Sequence, residues 1–577
     1  MKASDYIIRF FCEKGVNTIF GYIGGMITHL VDSADRNPDV KFIQTYHEQT
    51  ASIAAEGYAI ESGKFGVAMA TSGPGATNML TGIADAYFDS IPVIYIIGQV
   101  NTYEYKYNKS IRQQGFQETD IVSMVKPITK YAVMVDKIEY LRYELEKAYY
   151  IATTGRKGPV VLDLPMDIQR ADIIPSSLPF FEGRKNEYKK IDWIPIINAI
   201  SMAKRPMVLL GGGCKSILAK KELNTFLDKL QMPVVTSLMG RGAMDENYPH
   251  YMGMVGSYGN RCANMGIANA DFLLVLGSRL DTRQTGAKLE NFLPQANIVH
   301  VDIDNDELIY HRIPNRIKVQ ADVTGFLSVL NKTVLKQQMY SEWNRYLDFL
   351  KERYSQEKEI ERFVENKLPY QYMQKLNEYM GEEDIVTTDV GQNQMWAAQT
   401  IKLKGKQKYL TSGGLAPMGY AMPSAIGCAF ANREKRIYSI TGDGGFHIAL
   451  QSLPLMSQYN LNIKLCVFNN NALGMIAQFQ NLYFDKRLIA TIPESGYSVP
   501  NIAALAKAYN IQYYQITKRN ISSLDSVLHV EDNKPCIIEF VIDGITTVSP
   551  KLEYDRPISS PTPQLEKSEY DKAMNFN

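Results

Sequence analysis

The stretch Arg436-Ile437-Tyr438-Ser439-Ile440-Thr441-Gly442-Asp443-Gly444-Gly445 decides the fold, together with Ile463-Lys464-Leu465-Cys466-Val467-Phe468-Asn469-Asn470. In each, an apolar β-branched run ends on a turn. Asp443 and Asn470, 27 positions apart, then stand at the carboxyl ends of neighbouring parallel strands, the edge where α/β sheets bind ligands. One carboxylate and one side-chain amide are hard oxygen donors of the kind Mg²⁺ takes while sharing its shell with phosphate. Gly442, Gly444 and Gly445 let backbone N–H groups approach a diphosphate with no Cβ in the way.

The same rhythm runs outward in both directions. Thr18 to Phe20, Lys41 to Tyr46, Gly66 to Thr71, Pro92 to Gly98 and Pro159 to Leu164 are apolar runs, each followed by a turn and a helical stretch. Met207 to Leu210, Phe272 to Leu276 and Ile298 to Asp302 repeat it further on. Continuous apolar strands with helical crossovers predict parallel sheets covered on both faces. The expected class is therefore α/β, with three doubly wound parallel-sheet domains. We place them at residues 1–175, 190–335 and 367–545. Gln169 to Pro195 reads as a linker, 336–366 as a connecting helix, and 546–577 as a Pro- and Ser-rich tail, either disordered or a flap laid over a surface.

At 577 residues the chain is too long for one core. Lys and Arg number 62 against 61 Asp and Glu, a net charge of +1 with no long basic run, so nucleic acid is not an expected partner. Six cysteines are scattered with no C-x-x-C pair, as in a reducing compartment. No run of eighteen apolar residues appears and the N-terminus reads as an amphipathic helix, so the expectation is a soluble cytoplasmic protein without membrane partners.

Three further segments carry chemistry. Glu48, in Tyr46-His47-Glu48-Gln49, ends a strand and opens a small-residue helix, where a sheltered carboxyl suits proton exchange with a ring nitrogen. Thr71-Ser72-Gly73-Pro74-Gly75-Ala76-Thr77-Asn78 offers a tight backbone for a ligand. Phe116-Gln117-Glu118-Thr119 and Lys130 are weaker signals on their own.

Taken in order, these motifs resemble the acetohydroxyacid (acetolactate) synthase family, with Gly21 to Gly25, Ala54 to Ala59, Gly98-Gln99-Val100, Gly158 to Gln169, Val390 to Trp396 and Thr411 to Leu415. The match runs from about residue 3 to 545. The resemblance implies a thiamine diphosphate-dependent carboligase that decarboxylates pyruvate and passes the two-carbon unit to a second 2-oxo acid. Glu48 would protonate the cofactor's aminopyrimidine, whose imino form deprotonates the thiazolium. Met418 would hold the cofactor bent, so that base and acid meet, with Ala416 beside it. Gly25, Pro74 and Asn78 would also contact the cofactor. Val390, Gly391, Gln392 and Asn393 would contact the diphosphate opposite Gly442, Gly444 and Gly445, followed by Leu473, Gly474 and Met475. Asp443, Asn470 and the carbonyl of Ala472 would hold Mg²⁺. Gln117 and Lys130 would lie near substrate. The Glu48 half would come from a neighbouring subunit, giving a homodimer or homotetramer.

The middle unit resembles the family's FAD-binding segment through Gly277, Arg279, Asp281 and Arg283. Arg156, Gly211, Gly212, Gly213, Leu238, Met239, Asp302, Ile303, Asp322 and Val323 match further flavin positions, with Arg279 and Arg283 suited to a diphosphate. The chain departs from the family at Ile23, where Pro is usual, at Asn393 for His and at Phe479 for Trp. Phe479 and the long tail leave a keto-sugar nucleotide as the alternative acceptor. A flavin-linked 2-oxo acid oxidase and a non-catalytic cofactor scaffold are the readings from other classes.

Overall fold

The computed structural model describes residues 1–184, 190–333, 340–528 and 533–576. Part of the expected linker (185–189) and of the expected connecting helix (336–339) lies outside them.

Three six-stranded sheets, every pair of strands parallel, form three α/β units. The first contains β1 (Thr18–Tyr22), β2 (Lys41–Gln44), β3 (Gly66–Ala70), β4 (Val93–Gln99), β5 (Tyr131–Met134) and β6 (Val160–Pro165), in the order 2-1-3-4-6-5. The second contains β7 (Pro206–Leu210), β8 (Val234–Thr236), β9 (Tyr251–Met254), β10 (Phe272–Leu276), β11 (Asn297–Asp302) and β12 (Ile317–Gln320), in the order 12-11-10-7-8-9. The third contains β13 (Ile385–Thr388), β14 (Lys408–Thr411), β15 (Ile437–Gly442), β16 (Ile463–Asn469), β17 (Gln512–Ile516) and β18 (Cys536–Val541), in the order 14-13-15-16-18-17. Counted from its own first strand, the third sheet repeats the order of the first, whereas the second has the dinucleotide-binding order 3-2-1-4-5-6.

Each order reverses direction beside the first strand of its unit, and such a switch point is where these sheets bind ligands. It lies between β1 and β3, between β7 and β10, and between β13 and β15. The loops that leave these strands hold most of the residues expected to bind cofactors. The interior strands β3, β4, β7 and β10 are buried at every residue, which explains their unbroken apolar runs.

The first and third units pack through the helices Glu48–Ser62 and Ala421–Ala431. Their backbones nearly touch: a Cβ on Gly57 would lie 2.0 Å from the Ser424 carbonyl oxygen, and one on Gly427 1.9 Å from that of Ala54. Only glycine permits this crossing. In the expected connecting segment the structure has two helices, Ser341–Tyr354 and Gln356–Phe363, rather than one. The chain breaks at extended Ser355, whose hydroxyl accepts the Lys358 N–H and caps the second helix. The tail is an ordered strap. Ile558 and Ala573 join the core of the middle unit, and Arg261, paired with Glu359 at 2.6 Å, donates to the carbonyls of Pro561 (3.3 Å) and Pro563 (2.6 Å). Among the described residues no helix is long and apolar enough to cross a membrane.

Candidate active site

In the third unit, Gly442 of β15 pairs with Phe468 of β16. Asp443 and Asn470 therefore leave adjoining strands side by side. Asp443 is buried; its Oδ1 accepts the Tyr497 hydroxyl at 2.7 Å, and its Oδ2 accepts no hydrogen bond. Burial pushes its carboxyl up to about 6, against the pull of the Tyr497 hydroxyl and nearby backbone N–H groups. The Asn470 amide donates to Thr546 Oγ1 at 2.8 Å, which leaves its carbonyl oxygen for another partner. Thr546 in turn donates to Gln392 Oε1 at 2.6 Å. The Ala472 carbonyl accepts the Gly474 N–H at 2.8 Å and keeps a second lone pair.

The glycines around this carboxylate are spatially required. A Cβ on Gly444 would lie 2.9 Å from Leu473 Cδ2, 3.0 Å from Met418 Cε and 3.2 Å from the Tyr497 hydroxyl. Met418, Gly444, Leu473 and Tyr497 thus meet in one place beside Asp443. A Cβ on Gly474 would lie 2.1 Å from Gln392 Oε1, and one on Gly442 3.1 Å from Asn393 Oδ1. The Val390–Asn393 turn therefore closes the other side. Behind it, buried Asp389 accepts the N–H groups of Val390 (2.9 Å), Gly419 (2.8 Å) and Ala421 (3.2 Å), tying that turn to the Met418 segment.

In the first unit, Glu48 opens its helix after His47, whose Nδ1 accepts the Gln49 N–H at 3.1 Å. The Glu48 carboxylate is 7% exposed, and the Asn78 amide donates to its Oε2 at 2.9 Å. A Cβ on Gly75 would lie 3.1 Å from Glu48 Oε1, and one on Gly73 3.1 Å from Gln117 Cβ. Glu48, Gly75, Asn78 and Gln117 form one corner, with Pro74 exposed at its rim and Gly25 exposed in the loop after β1. Gln117 holds φ of +64°, a left-handed conformation uncommon outside glycine. Lys130 points elsewhere: its ammonium donates to the carbonyls of Ile151 and Thr154 at the end of the helix Leu141–Thr153. Burial lowers it to about 8. Among the described residues no hydrogen bond or ion pair joins the Glu48 corner to the Asp443 corner.

In the middle unit the Gly211–Gly213 and Gly277–Asp281 loops flank the switch point. A Cβ on Gly211 would meet the Gly277 carbonyl oxygen at 2.1 Å, and one on Gly213 the Gly277 Cα at 2.9 Å. Met239 lies 3.6 Å from the Cβ position of Gly212, and Leu238 packs toward the third unit. Arg279 reaches Asp281 at 3.7 Å and Arg283 is exposed, so both guanidinium groups are open to a ligand. Asp302, at the end of β11 before Ile303, is buried and raised to about 6 by desolvation. Two other expected residues have local duties. Arg156 is paired with Glu307 (2.7 Å) and Asp304 (3.1 Å), and Asp322 caps the helix that Val323 begins.

Reasoning from sequence missed Tyr497, Thr546 and Asp389. The first two lie 54 and 76 residues from the side chains they hold, so no local spacing marks them. Asp389 stands directly before Val390-Gly391 at the end of an apolar run, and that signal was readable.

The three units correspond to three family models: the N-terminal thiamine pyrophosphate (TPP) binding domain of thiamine pyrophosphate enzymes over residues 1–124, the central domain over 195–330 and the C-terminal TPP binding domain over 389–540. This fold and these paired corners define a thiamine diphosphate-dependent enzyme. The chain is 34% identical to the Escherichia coli acetolactate synthase isozyme 2 large subunit, covering 98% of this chain and 100% of the relative. It is 34% identical to the Lactococcus lactis acetolactate synthase large subunit (95% and 94%) and 36% identical to a probable large subunit from Methanocaldococcus jannaschii (94% and 92%). The chain belongs to the acetolactate synthase family.

Proposed function

We propose that this enzyme decarboxylates pyruvate and joins the two-carbon unit to a second pyruvate, giving acetolactate and CO₂. The observation that carries the reading is the pair of corners at sheet switch points, Glu48–Asn78–Gln117 in one unit and Asp443–Asn470–Met418 in another. Thiamine diphosphate, when bound, supplies a nucleophilic carbon and an electron sink for decarboxylation. Glu48 holds or releases one proton at its carboxylate, which the Asn78 amide orients. Met418, braced over Gly444, would fill the space behind the cofactor, with the Leu473 side chain beside it.

Asp443, Asn470 and the Ala472 carbonyl would hold Mg²⁺. One carboxylate oxygen without a hydrogen bond and two neutral oxygens suit that ion. FAD would lie across the switch point of the middle unit, with Arg279 and Arg283 on its diphosphate. The two corners would meet across a homodimer. Tyr22, Ile23, Tyr46 and Phe116 are exposed near the Glu48 corner, as are Leu415, Ile448, Ile476 and Phe479 near the Asp443 corner. A second copy would cover such apolar patches.

A keto-sugar nucleotide is the second acceptor reading. Phe479 supports it: half-exposed, its ring tilted against Tyr483 with centroids 4.8 Å apart, and the Lys551 ammonium 5.6 Å from its ring. Purified protein with thiamine diphosphate, Mg²⁺, FAD and pyruvate alone decides between them. Acetolactate formed in equal amount with CO₂ supports the first reading. Slow CO₂ release without acetolactate, accelerated by a keto-sugar nucleotide, replaces it with the second.

A further inference from the structure

Behind the Met418 segment lie carboxyl groups that the chemistry above does not use. The helix Leu80–Phe88 of the first unit ends against the third unit. Its buried Asp85 accepts the Ser412 hydroxyl on Oδ1 at 2.5 Å. Asp89, just past the helix, accepts two backbone N–H groups, Gly413 on Oδ2 at 3.0 Å and Gly414 on Oδ1 at 2.8 Å. Ser412 passes the hold onward, because its oxygen accepts the Ala416 N–H at 3.0 Å. Ala416 sits at φ +61°, a left-handed conformation that persists in a non-glycine residue only when its surroundings impose it.

The segment has little freedom to drift. A Cβ on Gly414 would lie 2.5 Å from Phe88 Cβ, and one on Gly413 2.4 Å from Met239 Sδ of the middle unit. A third acid lies beside them: Glu56, fully buried with neither oxygen hydrogen-bonded, is pushed well above the usual carboxyl range by desolvation and then by its neighbours Asp85 and Asp89. Burial raises Asp89 as well, against the pull of the Gly413 and Gly414 N–H groups and of Arg279 and Lys215 of the middle unit.

We propose that Asp85 and Asp89 are positioning residues, carboxyl groups of the first unit that set the Ser412–Met418 segment of the same chain and thereby the place of Met418 against the cofactor. The inference rests on the reading that Met418 keeps the cofactor bent. Each chain's first unit then serves twice: Glu48 acts at one site, and Asp85 and Asp89 shape the other.

The test uses the full-length enzyme loaded with thiamine diphosphate and Mg²⁺. Asp89→Asn keeps the volume and one acceptor but turns an NH₂ toward one of the two N–H groups. Ser412→Ala removes one hydroxyl and serves if Asp89→Asn fails to fold. The readout is hydrogen–deuterium exchange at C2 of the bound cofactor, followed by acid quench and NMR, beside kcat and KM for pyruvate. A displaced Met418 lowers exchange and kcat together, by about tenfold to a hundredfold, with KM within about twofold and cofactor binding retained. A role limited to stability would shift Tm and leave the exchange rate unchanged. Wild-type exchange in both variants overturns the proposal. Met418→Ala separates the two claims: if it slows exchange while the other variants do not, only the positioning role fails. If Met418→Ala itself leaves exchange unchanged, the reading beneath the proposal fails with it.

Discussion

Gly75→Ala probes the Glu48 corner with a single methyl group. The new Cβ would lie 2.9 Å from Thr71 Cγ2, 3.1 Å from Glu48 Oε1 and 3.6 Å from Ala70 Cβ. Thr71 is pinned, because its hydroxyl accepts the Met26 N–H at 3.2 Å, so the Glu48 carboxylate must move by a few tenths of an ångström. Overpacking of this kind costs about 1–3 kcal/mol. Alanine gains up to about 1 kcal/mol over glycine within the short helix Pro74–Asn78. The net loss of stability is at most about 3 kcal/mol, a fall in Tm of several degrees. The effect on catalysis is larger. The Asn78 bond to Glu48, 2.9 Å long, is charge-assisted and worth about 1.5–3 kcal/mol, so distorting it lowers kcat/KM by about tenfold to a hundredfold. The assay is steady-state acetolactate formation beside a thermal melt. Adding Thr71→Ser removes the methyl at 2.9 Å and restores part of the rate. Wild-type kcat/KM in Gly75→Ala would refute the claim that this glycine protects the placement of Glu48.

Further outcomes follow from other contacts. Tyr497→Phe removes the hydroxyl that orients Asp443, and Mg²⁺ titration of activity should show about tenfold weaker metal binding; an unchanged titration would contradict that orienting role. Lys215 is partly exposed along its stem, but its ammonium points inward to the Tyr409 carbonyl at 2.9 Å, and burial lowers it to about 7. A lysine depressed below its unfolded value binds fewer protons when folded, so stability rises as pH climbs from 7 toward 10. This group alone contributes about 2 kcal/mol between pH 7 and 9, and denaturant melts of Lys215→Met should lose that slope. Mixing inactive Glu48→Gln with inactive Asp443→Ala, followed by subunit exchange, should restore activity, because mixed dimers contain one site without either substitution; no recovery would contradict the split site.

Much of the architecture is legible because the interior strands are unbroken apolar runs. β3, β4, β7, β10, β15 and β16 announce themselves in this way. The strands that escape are short or lie toward an edge. β8 has three residues, β5 is half-buried throughout and β17 buries only Ile516, so their patterns are too weak to separate from loop. Asp443, Asn470 and Glu48 were readable because each ends a strand on a glycine turn or opens a helix. Lys130 was not, since its role depends on the carbonyls at the end of a distant helix. Gly57 and Gly427 look like ordinary helical glycines until the two helices cross.

The most direct test of the account is Glu48→Gln, measured for acetolactate formation from pyruvate and for Mg²⁺-dependent binding of thiamine diphosphate. Glutamine keeps the shape and the contact with Asn78 but cannot exchange the proton. The account predicts a fall in turnover of at least about a hundredfold with cofactor binding retained. A glutamine variant that turns over at the wild-type rate would contradict it.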